Sequence, residues 1–214
     1  MPFLDSLRAS RLLGILRGAE TSELSCVSDA SAQAGLGFIE VTLNTRDALS
    51  KISLLCELSE GRFQVGAGTV LSASQMRAAL SAGAKFIVSP VLVSEVATAA
   101  AELEVPYIPG AMTPKEVWES CQAGAIMTKL FPIKVFGPSY IRELRGPFGD
   151  IPLLACGGIR PDNLLEYLQA GADAVALGAG TFKREWLATG NVPALAETLA
   201  AMVRIVKSFD SRSH

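Results

Sequence analysis

Four times along this chain, helix-forming sequence ends in a glycine and an apolar run begins within a few residues. The segments are QAGLGFIEVTL (Gln33–Leu43), SAGAKFIVSP (Ser81–Pro90), QAGAIMTKLFP (Gln122–Pro132) and QAGADAVALGAG (Gln169–Gly180). A glycine in that place fits the left-handed residue that ends a helix, and a strand follows after a very short loop. Each segment is therefore a helix-to-strand junction. Gly35, Gly83, Gly124 and Gly171 are spaced 48, 41 and 47 residues apart.

Four more apolar runs lie between the junctions: Leu12–Arg17, Phe63–Val70, Val105–Pro109 and Ile151–Cys156. Polar, helix-starting residues follow each, such as Thr113–Pro114–Lys115–Glu116 and Arg160–Pro161–Asp162. Threonine or aspartate before a helix, and proline in its first turn, are start signals. Met76–Ala82 and Asn163–Ala170 read as helices between strands. The count is eight strands alternating with helices. Such alternation implies a parallel sheet covered by helices, and eight units imply a closed (β/α)₈ barrel of the TIM type. An open doubly wound sheet is the alternative, but the chain has no GxGxxG fingerprint. Leu4–Ser10 reads as a short helix before the first strand. Thr198–Ser208 closes the last unit, and Phe209–His214 reads as a frayed tail. The expectation is one α/β domain over residues 1–214.

Composition narrows the function. The net charge is −2 with no basic block, so nothing points to nucleic acid or an anionic membrane. No apolar run approaches the ~20 residues that span a bilayer. The opening MPFLDSLRASRLLGIL lacks the long apolar core and small-residue cleavage site of a signal peptide, so a cytoplasmic protein is expected. Cys26, Cys56, Cys121 and Cys156 form no CxxC pair and are expected to be free thiols. The only histidine is His214. That removes Ser-His-Asp and Cys-His chemistry and the common histidine metal sites. Catalysis is left to lysine, carboxylates, hydroxyls, backbone dipoles or a metal held by oxygens.

The junction glycines also serve as a ruler. Five residues beyond them stand Glu40, Val88, Lys129 and Ala176. Inward side chains of such a barrel stack in layers of four taken from alternate strands. Equivalent junctions would put these four in one layer near the C-terminal mouth, with Glu40 facing Lys129 across the space left by Ala176. Burial lowers a lysine pKa, and a neutral amine attacks carbonyl carbon. Two readings stand: an amine nucleophile with a carboxylate for proton transfer, or a buried structural ion pair. Lys51, Lys85, Lys115, Lys134, Lys183 and Lys207 fall on helices, loops or a strand start.

Helpers lie at the ends of other strands. Arg17 and Thr69 offer a guanidinium fork and a hydroxyl suited to a carboxylate, or are a solvated charge and a plain strand residue. The final two strands run into CGGIRPDN (Cys156–Asn163) and LGAGTF (Leu177–Phe182). Backbone N–H groups of Gly157, Gly158, Gly178, Ala179 and Gly180 can point at an anion there, helped by a helix N-terminus. Tight turns needing positive φ are the other reading.

The set ILRG, IEVTLNT, VGAGTVL, IVSP, IPG, KLFP, GGI and LGAG, in this order from about Leu13 to Phe182, resembles the KDPG/KHG aldolases. These are small class I aldolases that split 2-dehydro-3-deoxy-6-phosphogluconate to pyruvate and glyceraldehyde 3-phosphate, or 4-hydroxy-2-oxoglutarate to pyruvate and glyoxylate. The resemblance implies a homotrimeric barrel with no metal and no cofactor. It implies a Schiff-base lysine at Lys129 and a general acid/base at Glu40. It assigns Arg17 and Thr69 to the pyruvyl carboxylate region, Pro90 and Phe131 to the pocket lining, and Gly157, Gly158, Gly178 and Ala179 to the phosphate. Two positions depart from the pattern. Some members have arginine where this chain has Asn44, which leaves the carboxylate to Arg17. Some have threonine where Cys156 stands, whereas a branch acting on 2-dehydro-3-deoxy-6-phosphogalactonate has a small apolar residue there. That branch shares the FGPxY segment, Phe136–Tyr140 here, so the substrate epimer stays open. A phosphosugar isomerase or synthase barrel without an imine is the rival reading, and a non-catalytic barrel that binds phosphorylated ligands is another.

Overall fold

Each junction glycine is found with positive φ: Gly35 at 76°, Gly83 at 104°, Gly124 at 81° and Gly171 at 103°. They end or directly follow helices and turn the chain into the sheet, as the left-handed conformation of glycine allows without steric cost. A computed structural model describes residues 2–211. The chain runs α1 (Pro2–Ser10), β1 (Leu12–Leu16), α2 (Leu24–Ala34), β2 (Phe38–Thr42), α3 (Ala48–Ser59), β3 (Gln64–Gly68), α4 (Ala73–Ser81), β4 (Ile87–Val88) and α5 (Ser94–Glu102). It continues β5 (Tyr107–Ile108), β6 (Gly110–Ala111), α6 (Pro114–Gln122), β7 (Thr128–Leu130), α7 (Pro138–Arg145), β8 (Leu153–Cys156), α8 (Leu164–Gln169), β9 (Ala174–Leu177), α9 (Arg184–Ala188) and α10 (Val192–Asp210).

The strands lie in the order β5-β4-β3-β2-β1-β9-β8-β7-β6, and every pairing is parallel. Nine segments stand where eight strands were expected. β5 and β6 are two pieces of one stave divided at Pro109, which has no N–H for a ladder. The carbonyls on that stave still close the ring. Tyr107 accepts from Ile126 N at 3.1 Å, Pro109 from Lys129 N at 2.8 Å and Ala111 from Phe131 N at 3.2 Å. The barrel reading therefore holds.

Alternation along the strands divides the apolar residues between two cores. Leu12, Leu16, Ile39, Val41 and Val65 face the helices, where α2 and α10 carry Leu24, Val27, Leu195 and Leu199. Leu13, Phe38, Phe86, Val88, Ile108, Met127 and Leu154 fill the barrel interior. α1 closes its lower end. Leu7 is fully buried inside, and the Phe3 ring lies 5.3 Å from Phe38 and 5.2 Å from Phe86. Sequence showed this helix but not its use as a plug.

α10 extends beyond its expected end. Arg11 holds Asp210 at 2.7 Å and stacks over Phe209 at 5.2 Å, so the expected frayed tail begins later than Phe209. Residues 212–214, including His214, lie outside the described residues. Among the described residues no helix is long and apolar enough to cross a membrane.

One polar hub ties the lower loops together. Asp173, just before β9, takes Arg145 Nη2 at 2.6 Å, Arg8 Nε at 3.1 Å and the Leu153 N–H at 2.8 Å. Arg145 also donates to the carbonyls of Gly171 and Ile151. Charged hydrogen bonds at part-buried positions outweigh surface pairs. Asp173→Ala should lower unfolding free energy by about 2–3 kcal/mol, read as a lower urea midpoint at unchanged slope.

Candidate active site

β2 and β7 bring Glu40 and Lys129 together from positions 89 residues apart, with Nζ 3.5 Å from Oε1. β2 places Phe38, Glu40 and Thr42 on one face by simple alternation, and β7 with the residue on either side of it does the same for Met127, Lys129 and Phe131. Val88 and Ala176 join the same interior, so the ruler of five residues selects one layer. The side of β3 that faces Glu40 is bare. A Cβ on Gly68 would lie 2.6 Å from Glu40 Oε1, and one on Gly66 would lie 2.4 Å from the Phe86 ring. Those two glycines make room for the carboxyl and the ring that lean across them.

Glu40 has no exposure and Lys129 is 5% exposed. Oε2 of Glu40 has no hydrogen-bond partner. Burial pushes the Glu40 carboxyl above its ordinary range, against the opposing pull of Lys129 and, more weakly, Arg17. Lys129 corrects the sequence expectation of a lowered amine. Burial is the largest single influence and does lower it, but the charge of Glu40, with Cys156 and the Glu40 hydrogen bond, more than reverses that, so the ammonium is held above its usual range. Cys156 is itself pushed up to about 11 by burial. It is a neutral thiol near neutral pH, so the counter-charge for Lys129 is the Glu40 carboxylate. The free amine is reached by passing a proton to Glu40, whose raised carboxyl is suited to hold it.

Above the pair opens a cavity of about 610 Å³ at the C-terminal mouth of the barrel. Lys129, Arg17, Thr69, Pro90 and Phe131 line it. So do Gly157, Gly158, Gly178 and Ala179. Glu40 sits beneath, behind the lysine. Thr69 carries φ 57°, an unusual conformation for a β-branched residue and one that concentrates at functional sites. Phe131 puts its ring 5.7 Å from Nζ of Lys129.

The two glycine loops form one wall. Among the described residues, the N–H groups of Gly157, Gly158, Gly178 and Ala179 find no acceptor in the protein. Asn163 braces the first loop, donating to Gly158 O at 2.9 Å and accepting from Arg160 N at 2.8 Å. Gly178 O accepts from Thr181 N and Phe182 N at 2.9 and 3.1 Å and curls the second. The helix that follows the first loop, α8, is six residues long and begins at Leu164, beyond the loop, and α9 follows the second.

Sequence reasoning missed three cations of this cavity: Lys134, Arg160 and Arg184. The signals were an arginine one residue after GGI and a lysine two after Pro132. Arg184 reaches across the mouth, donating to Gly18 O at 2.8 Å and Glu23 at 3.0 Å. Asn44, the other departure from the family pattern, does not line the cavity. Among the described residues no group of three His, Cys, Asp and Glu side chains could hold a metal ion.

The family model described as KDPG and KHG aldolase matches residues 4–198. The chain belongs to this aldolase family. It is 32% identical over 194 residues to the 2-dehydro-3-deoxy-6-phosphogalactonate aldolase of Escherichia coli, covering 90% of this chain and 93% of that one. It is 35% identical over 167 residues to the 2-dehydro-3-deoxy-phosphogluconate aldolase of Pseudomonas aeruginosa, covering 77% and 76%. A solved KDPG aldolase from Legionella pneumophila, with pyruvate captured as a covalent carbinolamine, superposes with a TM-score of 0.86 at 27% identity over 92% of this chain and 96% of that one.

Proposed function

We propose that this member of the aldolase family is a class I carbon–carbon lyase that cleaves a phosphorylated 2-keto-3-deoxy sugar acid through an imine on Lys129. The observation that carries the reading is a lysine at a barrel mouth whose only close counter-charge among the described residues is a fully buried carboxyl 3.5 Å away. Nζ adds to the C2 carbonyl carbon and, with loss of water, forms a protonated imine. Glu40, directly or through water, takes the proton of the C4 hydroxyl. The C3–C4 bond breaks, its electrons enter the imine as an enamine, and the aldehyde leaves. Protonation at C3 and hydrolysis release pyruvate and the free amine. Arg17 and Thr69 hold the keto-acid carboxylate. Pro90 and Phe131 shape the pocket. The amides of Gly157, Gly158, Gly178 and Ala179 receive the phosphate.

Borohydride reduction in the presence of pyruvate tests this. It should fix a pyruvyl group on Lys129, and a chain that takes no adduct there is not a Schiff-base aldolase. The substrate of first choice is 2-dehydro-3-deoxy-6-phosphogluconate, with 4-hydroxy-2-oxoglutarate as the shorter one. The phosphogalactonate epimer is the second reading, favoured by Cys156 in the cavity wall. Rates on the three substrates, compared side by side, rank them.

On the same reading residues 1–214 act as one cytoplasmic domain assembled as a homotrimer. Exposed Trp118, Val135 and Phe136 supply apolar surface for such contacts, and sedimentation equilibrium checks the mass.

Gly68→Ala is informative because its methyl would push the Glu40 carboxyl aside while removing no polar group. Displacing a catalytic group by about 1 Å costs on the order of a hundredfold in rate, so kcat should fall by that much. Gly66→Ala crowds the buried Phe86 ring instead. It should show mainly in the urea midpoint, as overpacking costs about 1–3 kcal/mol.

A further inference from the structure

We propose that Lys134 and Arg160 form a two-cation clamp on the terminal phosphate and set a preference for phosphorylated 2-keto acids over short dicarboxylic ones. The inference builds on the aldolase reading for the place of the reacting carbon, while the clamp itself stands on the cavity wall.

Each cation crosses one of the glycine loops. A Cβ on Gly158 would lie 2.9 Å from Lys134 Cβ, and one on Gly180 would lie 3.6 Å from Arg160 Cγ. The two aliphatic stems thus lie against the loops that present the four acceptor-free amides. Bare glycine at 158 is what lets Lys134 come this close. Lys134 follows Pro132 in the short turn Ile133–Val135, so its backbone is held by the lip of the strand that carries Lys129.

Arg160 is aimed in advance. Asp162 takes Nε at 3.0 Å and Nη2 at 3.1 Å, and Asn163 takes the backbone N–H. The other Nη group keeps its donors for a ligand. A guanidinium fork oriented in this way suits a phosphate oxygen pair.

The charges of the cavity do not balance without a ligand. Among the described residues no Asp or Glu lines it. Lys129 is answered by Glu40 below, Arg184 by Glu23 and Arg160 by Asp162. Lys134 and, on the first loop, Arg17 have no ion pair among the described residues. A phosphate near neutral pH carries close to two negative charges and three acceptor oxygens. Its three oxygens can take the Lys134 ammonium, the open Nη group of Arg160 and the loop amides together, whereas a single carboxylate offers two oxygens to the same donors. Both cations are exposed, so their attraction weakens with salt.

The test uses Lys134→Ala, Arg160→Ala and the double variant. Each is assayed for kcat/KM on 2-dehydro-3-deoxy-6-phosphogluconate and on 4-hydroxy-2-oxoglutarate, and titrated with inorganic phosphate by calorimetry. The ratio of the two kcat/KM values should fall about tenfold in each single variant and about a hundredfold in the double, the size of one and two lost charged hydrogen bonds. Phosphate affinity should fall in step; Lys134→Arg should keep most of both, and Arg160→Lys, which loses the fork, only part. A ratio that stays within about twofold of the parent, or equal losses on both substrates, overturns the clamp. If the parent protein takes no pyruvyl adduct, the aldolase reading fails by itself. The phosphate titration then still decides, with weaker binding in the double variant upholding the clamp and equal binding overturning it.

Discussion

Lys129→Met yields no pyruvyl adduct on borohydride reduction and lowers kcat by at least about four orders of magnitude, since the covalent route is removed and not merely slowed. Methionine keeps the unbranched stem that packs between Met127 and Phe131 and deletes the amine. The change strands no buried charge. Glu40 is already raised by burial, with Lys129 as the chief influence pulling it down. Without that partner the carboxyl rises further, which favours its neutral form. The fold should therefore survive, and the urea midpoint near pH 7 separates lost chemistry from lost structure. Lys129→Arg, which keeps the charge but not the nucleophile, should be equally inactive. The cavity holds a second lysine, Lys134. An adduct mapped to Lys134 in the parent would sink the assignment of the imine to Lys129.

Glu40→Gln separates imine formation from proton transfer. The variant should still take pyruvate on borohydride reduction, while kcat falls by about 10²–10⁴, the range lost with a positioned acid–base. The pH profile carries the sharper signature. In the parent, the acid limb of kcat/KM should lie above the ordinary 4.5 of a glutamate, because burial raises Glu40. In the variant that limb disappears. Lys129 also loses the carboxylate that holds it up, leaving burial as the dominant influence, so the amine should titrate at lower pH than in the parent. Stability follows the same sign. A carboxyl with a raised folded pKa binds its proton more tightly when folded, so its contribution is greatest below the unfolded value and declines as pH rises through the folded one. The parent should therefore lose a little stability through Glu40 as pH rises above 4.5. An unchanged acid limb in the variant would remove Glu40 from proton transfer.

The parts legible in the sequence were those fixed by local geometry. Gly35, Gly83, Gly124 and Gly171 mark a backbone shape that other residues resist, and a strand repeats its facing every second residue. Together they make a count of five residues meaningful, and Glu40 and Lys129 meet because of it. The divided stave at Pro109 was hidden because a proline near the end of a run looks like a stop. The charge state of Lys129 was hidden because it depends on a partner 89 residues away, and burial taken alone points the wrong way. Lys134 and Arg160 were passed over for a related reason. Their place in the cavity follows from the path of two loops over Gly158 and Gly180, and a list of residue types does not contain that path.

The bond from Arg184 to Gly18 has a mechanical consequence. Gly18 follows Arg17, and Arg184 follows the loop of Gly178 and Ala179. One guanidinium thus fastens the first loop of the barrel to the last. Those two loops are also where the opposite ends of an extended acid-phosphate would rest. The bond therefore couples the spacing between those loops to a single side chain, and loss of the Arg184 guanidinium would let the two ends of the mouth move independently.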